Sequence, residues 1–235
     1  MKILAFDSTA KVSSVALTDG ERLLAQYNID FGLTQSELLL PMAESILGAL
    51  HLSFSDIEIY ACTTGPGSFT GVRIGAALVK GLAFGKNLPC VEVSTLDSLA
   101  ENISSLSGIL VPCMDARRNQ VYNAVFSSDG HTLTRLTPDR AISLDALADE
   151  LKAYEGQPVY ISGDGYDVAV KALSDKGISV KPTPSLLIPQ SAYSAARVAY
   201  RKYLFGKIVS DTALSPSYLR VPQAERERLE RLSNK

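Results

Sequence analysis

The stretch KILAFDSTAKVSSVALTDGERLLAQYNI, residues 2 to 29, decides the fold. Lys2 to Phe6 is a short apolar run closed by Asp7. Val12 to Thr18 and Arg22 to Ile29 are runs of strand-forming residues joined by Thr18-Asp19-Gly20-Glu21, a hairpin signal. Three consecutive strands therefore form a meander, with an aspartate at the end of the first. Thr34-Gln35-Ser36-Glu37 has the order of a capping box, ahead of Leu38, Leu39, Met42, Ile46, Leu47 and Leu50 at helical spacing. Pro41 inside that helix predicts a kink. A strand over Ile57 to Thr63 leads into Gly65-Pro66-Gly67-Ser68-Phe69-Thr70-Gly71, then a helix to about Phe84, then a strand over Pro89 to Val93. The order is βββαβαβ.

The same order begins again after Ser104-Ser105-Leu106-Ser107-Gly108, the best linker in the chain. Ile109 to Met114 reads as a strand closed by Asp115, Gln120 to Phe126 as the next, Ser128-Asp129-Gly130 as a hairpin turn and His131 to Leu136 as the third strand. Ser143 caps a helix to about Tyr154, and Val159 to Ser162 is the fourth strand. Asp7 lies 13 residues before Gly20, and Asp115 lies 15 before Gly130. The pattern predicts a duplicated unit: a first lobe over 1–103, and a second, smaller lobe over 104–235 whose C-terminal tail packs back on the first. The two acids then face each other across a cleft.

Composition sets the bounds. With 235 residues, 46% hydrophobic and 20% charged, the chain is globular rather than disordered, collagenous or coiled-coil. Lys and Arg number 23 against 25 acids, a net charge of -2, so there is no basic surplus for gripping nucleic acid alone; such a role would need a partner. Cys62, Cys90 and Cys113 are spaced for neither a disulfide framework nor a metal knuckle, which points to a reducing cytoplasm. The longest apolar stretches, such as Ile74 to Phe84, carry Lys80 and fall short of a bilayer span, so neither export nor membrane insertion is expected.

The candidate sites each have two readings. Asp7 and Asp115 suit a magnesium nucleotide, or each merely caps the turn leaving its strand, with Ser8 and Thr9 bonded to backbone. The Gly65 to Gly71 loop opens a helix, so Gly65, Gly67 and Ser68 either present amides to an anion or form a tight turn packing backbone on backbone. Glu92 follows Gly71 by 21 residues, as a dinucleotide fold would place a ribose-binding acid, but a three-stranded meander before the motif argues against that fold. On the helix after the loop, Gly71, Gly75, Ala77, Gly81 and Gly85 leave one side nearly bare, which implies close approach of an internal element or of a helix from another chain. His51 and His131 lie 80 residues apart, and no zincin, nucleophile-elbow or P-loop motif is present. Ala224 to Lys235, with Glu227 four residues before Arg231, reads as a solvated helix, with a basic tail contacting nucleic acid as the alternative.

The chain resembles the actin, sugar kinase and Hsp70 superfamily in its duplicated lobe with an acid after the first strand, and more narrowly is similar to the TsaB family. The residues that carry this are Ile3 to Thr9, Ser13 to Leu17, Thr34-Gln35 with Leu40-Pro41, the GPGSFTGVRIG run from Gly65 to Gly75, Val93 to Leu96, Asp115-Ala116-Arg117, and Ser217-Tyr218-Leu219-Arg220. The resemblance implies an α/β fold of duplicated actin-like (RNase H-like) βββαβαβ lobes with mixed sheets. It implies a non-catalytic dimerization subunit and inactive peptidase relative. Its complex would transfer a threonylcarbamoyl group to the adenosine next to the anticodon of tRNAs reading codons that begin with A.

The implied partners are a TsaD-like catalytic subunit and a TsaE-like ATPase, with a homodimer when alone, and tRNA reached only through the complex. The implied interface is Leu38, Leu39, Met42, Gly71, Arg73, Ile74, Gly75, Ala77 and Leu78. No metal and no tightly bound cofactor are expected; ATP or ADP with magnesium is the candidate ligand at the interface of the complex, and Asp7, Ser8, Thr9, Gly65, Gly67, Ser68 and Asp115 are the candidates for weak nucleotide or anion binding. Where relatives often carry histidine before the Thr-Gln pair, this chain has Phe31-Gly32-Leu33. The alternative function is a small-molecule kinase or ATPase using Asp7 and Asp115. The absence of glycine after either acid, where phosphate would need bare amides, counts against it.

Overall fold

Strand β1 (Lys2–Asp7) is buried on both sides: Leu4 and Phe6 point one way, Ile3 and Ala5 the other. The structure, a computed structural model, describes residues 1–32 and 34–220. β1 pairs antiparallel with β2 (Ser13–Asp19), which pairs with β3 (Arg22–Ile29). On its other edge β1 runs parallel to β4 (Ile59–Gly65), followed by β5 (Cys90–Ser94), so the order is β3-β2-β1-β4-β5. Helices α1 (Gln35–Ala49) and α2 (Phe69–Ala83) cover the Leu4/Phe6 face. α1 starts where Glu37 accepts from the amide and hydroxyl of Thr34, and it continues through Pro41 without a break.

The second sheet repeats the plan with changes. β6 (Gly108–Asp115) pairs antiparallel with β7 (Gln120–Asn123) and β8 (Phe126–Ser128) in one register, Asp115 opposite Val121 and Gly108 opposite Ser128. The single strand expected over Gln120 to Phe126 is thus interrupted at Ala124 and Val125. Val125 bonds outward there instead, its amide to the Thr137 hydroxyl at 2.8 Å and its carbonyl to the Leu136 amide at 2.8 Å. The third strand, expected over His131 to Leu136, forms as β9 (Leu133–Arg135) beside β8, and a strand the sequence reading did not assign, β10 (Arg140–Ser143), pairs with β7. Helix α4 (Leu144–Leu151) is capped by Ser143, and β11 (Val159–Ser162) lies parallel to β6. Helix α5 (Tyr166–Asp175) joins α4 over the face of Ile109, Val111 and Ile161.

Two helices cross between the halves. α3 (Thr95–Asn102) follows the first sheet in sequence, but its Leu96, Leu99 and Ala100 pack on Leu110, Met114 and Phe126 of the second. α6 (Ala192–Leu204) follows the second sheet but lays Ala192, Ala195, Ala196 and Ala199 on Ala5, Ala16 and Ala61 of the first. Alanine against alanine lets the helix sit close to the strands. Asn102 ties the pair, donating to the carbonyls of Leu187 (2.9 Å) and Pro189 (3.1 Å) and accepting from Ser194 (3.0 Å). The sequence reading assigned no element between Ser162 and Ala224, so α5 and α6 are additions to it.

The glycines of α2 divide into two kinds. A Cβ on Gly71 would lie 1.9 Å from the Ser8 carbonyl oxygen and one on Gly75 2.6 Å from Ser8 Oγ, whereas one on Gly81 would meet nothing within 4 Å. Gly71→Ala is therefore expected to destabilise by about 3 kcal/mol or more through overpacking against backbone. Gly81→Ala is expected to stabilise the monomer by up to about 1 kcal/mol from helix propensity. Denaturant unfolding of the two variants beside the parent checks both signs.

Candidate functional site

Asp7 ends β1, and it is fully buried. Its Oδ1 accepts from the amide (3.0 Å) and hydroxyl (2.7 Å) of Thr9, while Oδ2 has no hydrogen-bond partner. Burial, the largest cause, pushes its carboxyl above the ordinary range; the Thr9 donors and the Thr63 hydroxyl pull it down, and the Asp164 charge adds to the rise. Ser8 and Thr9 are buried as well, Ser8 donating to the Gly71 carbonyl at 2.8 Å and the Thr9 carbonyl accepting from the Ser68 amide at 2.7 Å.

This closes the place where a phosphate would sit. Cβ atoms on Gly67 and Gly71 would run into the carbonyl oxygens of Thr9 (2.4 Å) and Ser8 (1.9 Å), so the loop glycines exist for backbone contact. The start of α2 is capped by its own Ser68, whose Oγ accepts from the Gly71 amide at 3.2 Å. Of the two readings of the loop, the tight turn is the one the geometry supports. Gly65, at φ 114°, leaves room for the chain's last described segment: a Cβ there would lie 2.5 Å from the Ser217 carbonyl, and the Ser217 amide donates to Thr64 at 2.7 Å.

From Ser217 the segment crosses both lobes. Tyr218 stacks on Phe69 with centroids 4.8 Å apart, and Arg73 lies over Phe69 at 3.8 Å and donates to the Tyr218 hydroxyl at 2.8 Å. Two residues on, Arg220 donates to the Ala116 carbonyl at 3.2 Å and to Gln120, with Tyr122 beneath it. The Phe69 loop of the first lobe and the β6–β7 turn of the second are thus pinned by Tyr218 and Arg220. The predicted helix from Ala224 to Lys235 lies outside the described residues.

Asp115 stands apart from Asp7. It borders a cleft of about 510 Å³ together with Lys11, Asp30, Arg117, Asp164 and Asp167, and the buried Asp7 is not part of that lining. The expected facing pair is therefore replaced by Asp115 and Asp164, whose Oδ1 accepts from the Asp115 amide at 3.0 Å. Burial is the main cause that raises the Asp164 carboxyl, with the Asp115 charge adding and the Asp115 amide, Arg117 and Lys11 opposing. Sequence reasoning passed over Asp164, although Ser162-Gly163-Asp164-Gly165 places an acid in a glycine turn directly after β11. Asp30, Asp115, Asp164 and Asp167 outnumber Lys11 and Arg117, a balance that repels a bare polyphosphate. Among the described residues no three His, Cys, Asp or Glu side chains are grouped to hold a metal ion.

The predicted interface residues also separate. Leu39 and Met42 are in the core under α1, and Gly71 and Gly75 are buried against Ser8, so these four face inward and not toward a partner. Leu38, Ile74 and Leu78 are half-buried, Ala77 is exposed, and Arg73 is exposed but tied to Phe69 and Tyr218. Helical spacing puts Ile74, Ala77, Leu78, Gly81 and Leu82 on one outward side of α2, continued by Phe84, which is 76% exposed.

Comparison with known proteins gives a family model, TsaD: tRNA N6-adenosine threonylcarbamoyltransferase, matching residues 34–226. The tRNA threonylcarbamoyladenosine biosynthesis protein TsaB of Escherichia coli is 30% identical over 94% of this chain and 95% of its own length. That of Bacillus subtilis is 29% identical over 98% of this chain and 99% of its own. In fold, YeaZ from Pseudomonas aeruginosa matches with a TM-score of 0.76 at 23% identity, over 93% of this chain and 99% of that one. Component A of the (R)-2-hydroxyglutaryl-CoA dehydratase of Acidaminococcus fermentans matches at 0.50 and 12% identity, over 87% of this chain and 99% of that one.

The buried carboxyl of Asp7 yields a pH prediction. Because its folded value is raised, the folded state holds its proton more tightly than the unfolded state, and stability is lost as pH rises from about 4 through the folded value. Asp7→Asn cannot ionise, so its stability relative to the parent is expected to increase between pH 4 and pH 8. Urea unfolding of both proteins across that range measures the difference.

Proposed function

We propose, from the premise that the chain belongs to the TsaB family of tRNA threonylcarbamoyladenosine biosynthesis proteins, that it is a non-catalytic subunit pairing with a TsaD-like enzyme. The partner transfers the threonylcarbamoyl group to the adenosine beside the anticodon, and this chain holds the partner in its active form. The outward side of α2 is the observation that carries this reading. Ile74, Leu78 and Leu82, half-buried against the core beneath them, join the exposed Ala77 and Phe84 in an apolar stripe along the outer flank of α2. Gly81 sits in that stripe with open space above it, so no internal contact accounts for it; a second helix packed there would.

The same stripe pairs two copies when the chain is alone. A TsaE-like ATPase joins the heterodimer, and the assembly acts on tRNA in the cytoplasm. Among the described residues no helix is long and apolar enough to cross a membrane. The closed Asp7 turn and the acid-rich cleft offer a nucleotide little by themselves, so ATP or ADP with magnesium binds, where it binds, across the interface of the complex.

For catalysis the chain's own groups are poorly placed. The three cysteines are buried, and their thiols are raised far from the thiolate range, Cys90 to about 11 and Cys113 to about 12, chiefly by burial.

Ala77→Glu and Gly81→Arg put charge on exposed positions of the stripe, so the monomer is expected to keep its circular dichroism spectrum, with Gly81→Arg unfolding no earlier than the parent. Heterodimer formation by size exclusion, and threonylcarbamoyl transfer to unmodified tRNA on reconstitution with the TsaD-like subunit, are expected to fall at least tenfold. Full transfer by the partner without this chain, or transfer by this chain without the partner, would sink the reading.

A further inference from the structure

We infer that a groove between α6 and the β8–β9 hairpin, on the side of the molecule built from α3 and α6, holds backbone phosphates of tRNA within the complex. The inference rests on the function proposed above and adds a site to it. The groove encloses about 450 Å³, and five cations line it: Arg135, Arg197, Arg201, Lys202 and Lys207. Only Asp97 and Glu101 oppose them in the lining. In a chain with a net charge of -2, this is a local concentration of positive charge that the rest of the surface does not repeat at the interlobe cleft, where acids prevail.

The groove is organised rather than merely basic. Glu101, its side chain 2% exposed, is fixed on α3 and bonds both Arg197 (2.9 Å) and Arg201 of α6, one helical turn apart. One carboxylate thus serves two guanidiniums, with Glu21 a further 3.9 Å from Arg201, and each guanidinium keeps further N–H groups for a ligand. Lys202 donates to the Glu92 carbonyl at 2.6 Å, a contact that orients the ammonium without neutralising it. Lys207 is exposed and has no carboxylate partner among the described residues.

Arg135, from the opposite wall, is held by Asp97 and Asp139 at 2.6 Å each and is largely neutralised, so the positive field is centred on the α6 side. Continuing the row of Arg197 and Arg201 by four residues is Phe205, 81% exposed at the mouth of the groove. Cations that track phosphates beside an exposed ring on which a base can stack are the recurring means of binding unpaired nucleic acid. A small anion would need the cations but not the ring. The groove also lies apart from the α2 stripe, which borders the opposite face of the first sheet, so it stays open when a partner occupies that stripe.

The test titrates labelled, unmodified tRNA with the full chain alone and with the chain plus its TsaD-like subunit, over a range of salt concentrations. Lys207→Glu alters only an exposed side chain, and a second variant adds Lys202→Gln, which keeps a donor for the Glu92 carbonyl. For the heterodimer, the slope of log affinity against log salt is expected to become shallower by about one for Lys207→Glu and about two for the double variant. Phe205→Ala is expected to weaken binding severalfold with the slope unchanged, and Lys207→Arg to keep the parent slope.

Size exclusion of the same variants with the subunit reads the pairing separately. Intact heterodimer with parental tRNA affinity and slope in the double variant overturns the groove and leaves the pairing standing. Binding of ATP or inorganic phosphate that depends on Lys207 while tRNA binding does not would equally overturn it, assigning the groove to a small anion.

Discussion

The turn after β1 lies directly under the first turn of α2, and only glycine permits the contact. Ser8 and Thr9 press their carbonyls where Gly67 and Gly71 would carry side chains, and the Ser8 hydroxyl closes the gap by bonding the Gly71 carbonyl. That contact sets the height and direction of α2 over the first sheet. From it follow the burial of Val72, Ala76 and Val79, the outward presentation of Ile74, Leu78 and Gly81, and the position of Phe69, on which Tyr218 rests. The approach between the two turns is packed with protein.

The same close contact decides the surroundings of Asp7. Drawing α2 down onto Ser8 leaves Asp7 without water and with one oxygen unpartnered, a poor setting for an ion but tolerable for a carboxyl whose proton is retained more strongly. Of the other acids, Asp164 accepts from the Asp115 amide and Asp115 from the Arg117 amide of its own turn, while Tyr218 and Arg220 tie the Phe69 loop to the β6–β7 turn. An enzyme that closes on its substrate needs lobes free to move. A subunit that orients a partner benefits from lobes that are fixed.

The first meander was legible because β1 is apolar, β2 and β3 are rich in strand-forming residues and Asp19-Gly20 is a strong turn signal; in the second half the apolar run ended by Asp115, the Ser143 cap and Val159 to Ser162 repeat the plan. The glycines of α2 were legible as a close approach, but spacing cannot say to what: Gly71 and Gly75 belong to Ser8, and Gly81 meets nothing within 4 Å. α6 escaped notice because its buried face is alanine, at 192, 195, 196 and 199, a helical period written in a residue of weak hydrophobic contrast. The interruption at Val125 depends on a bond to Thr137, twelve residues away, which no local pattern encodes. The groove on α6 was invisible for the same reason as α6 itself: Arg135 meets Arg197 and Arg201 only once α3 has brought the halves together.

The exchange of helices between the halves bears on how the chain is made. The Ile3/Ala5 face of the first sheet is complete in sequence at Ser94, but its cover begins at Ala192. At ribosomal speeds of about 5–20 residues per second, that face emerges roughly five to twenty seconds before α6 exists. During that interval Ile59, Val91 and Val93 have no native neighbour on that side, so the nascent first half is a natural client for holding chaperones. Fragments ending before α6 should accordingly be sticky rather than autonomous, however self-contained their strand order looks.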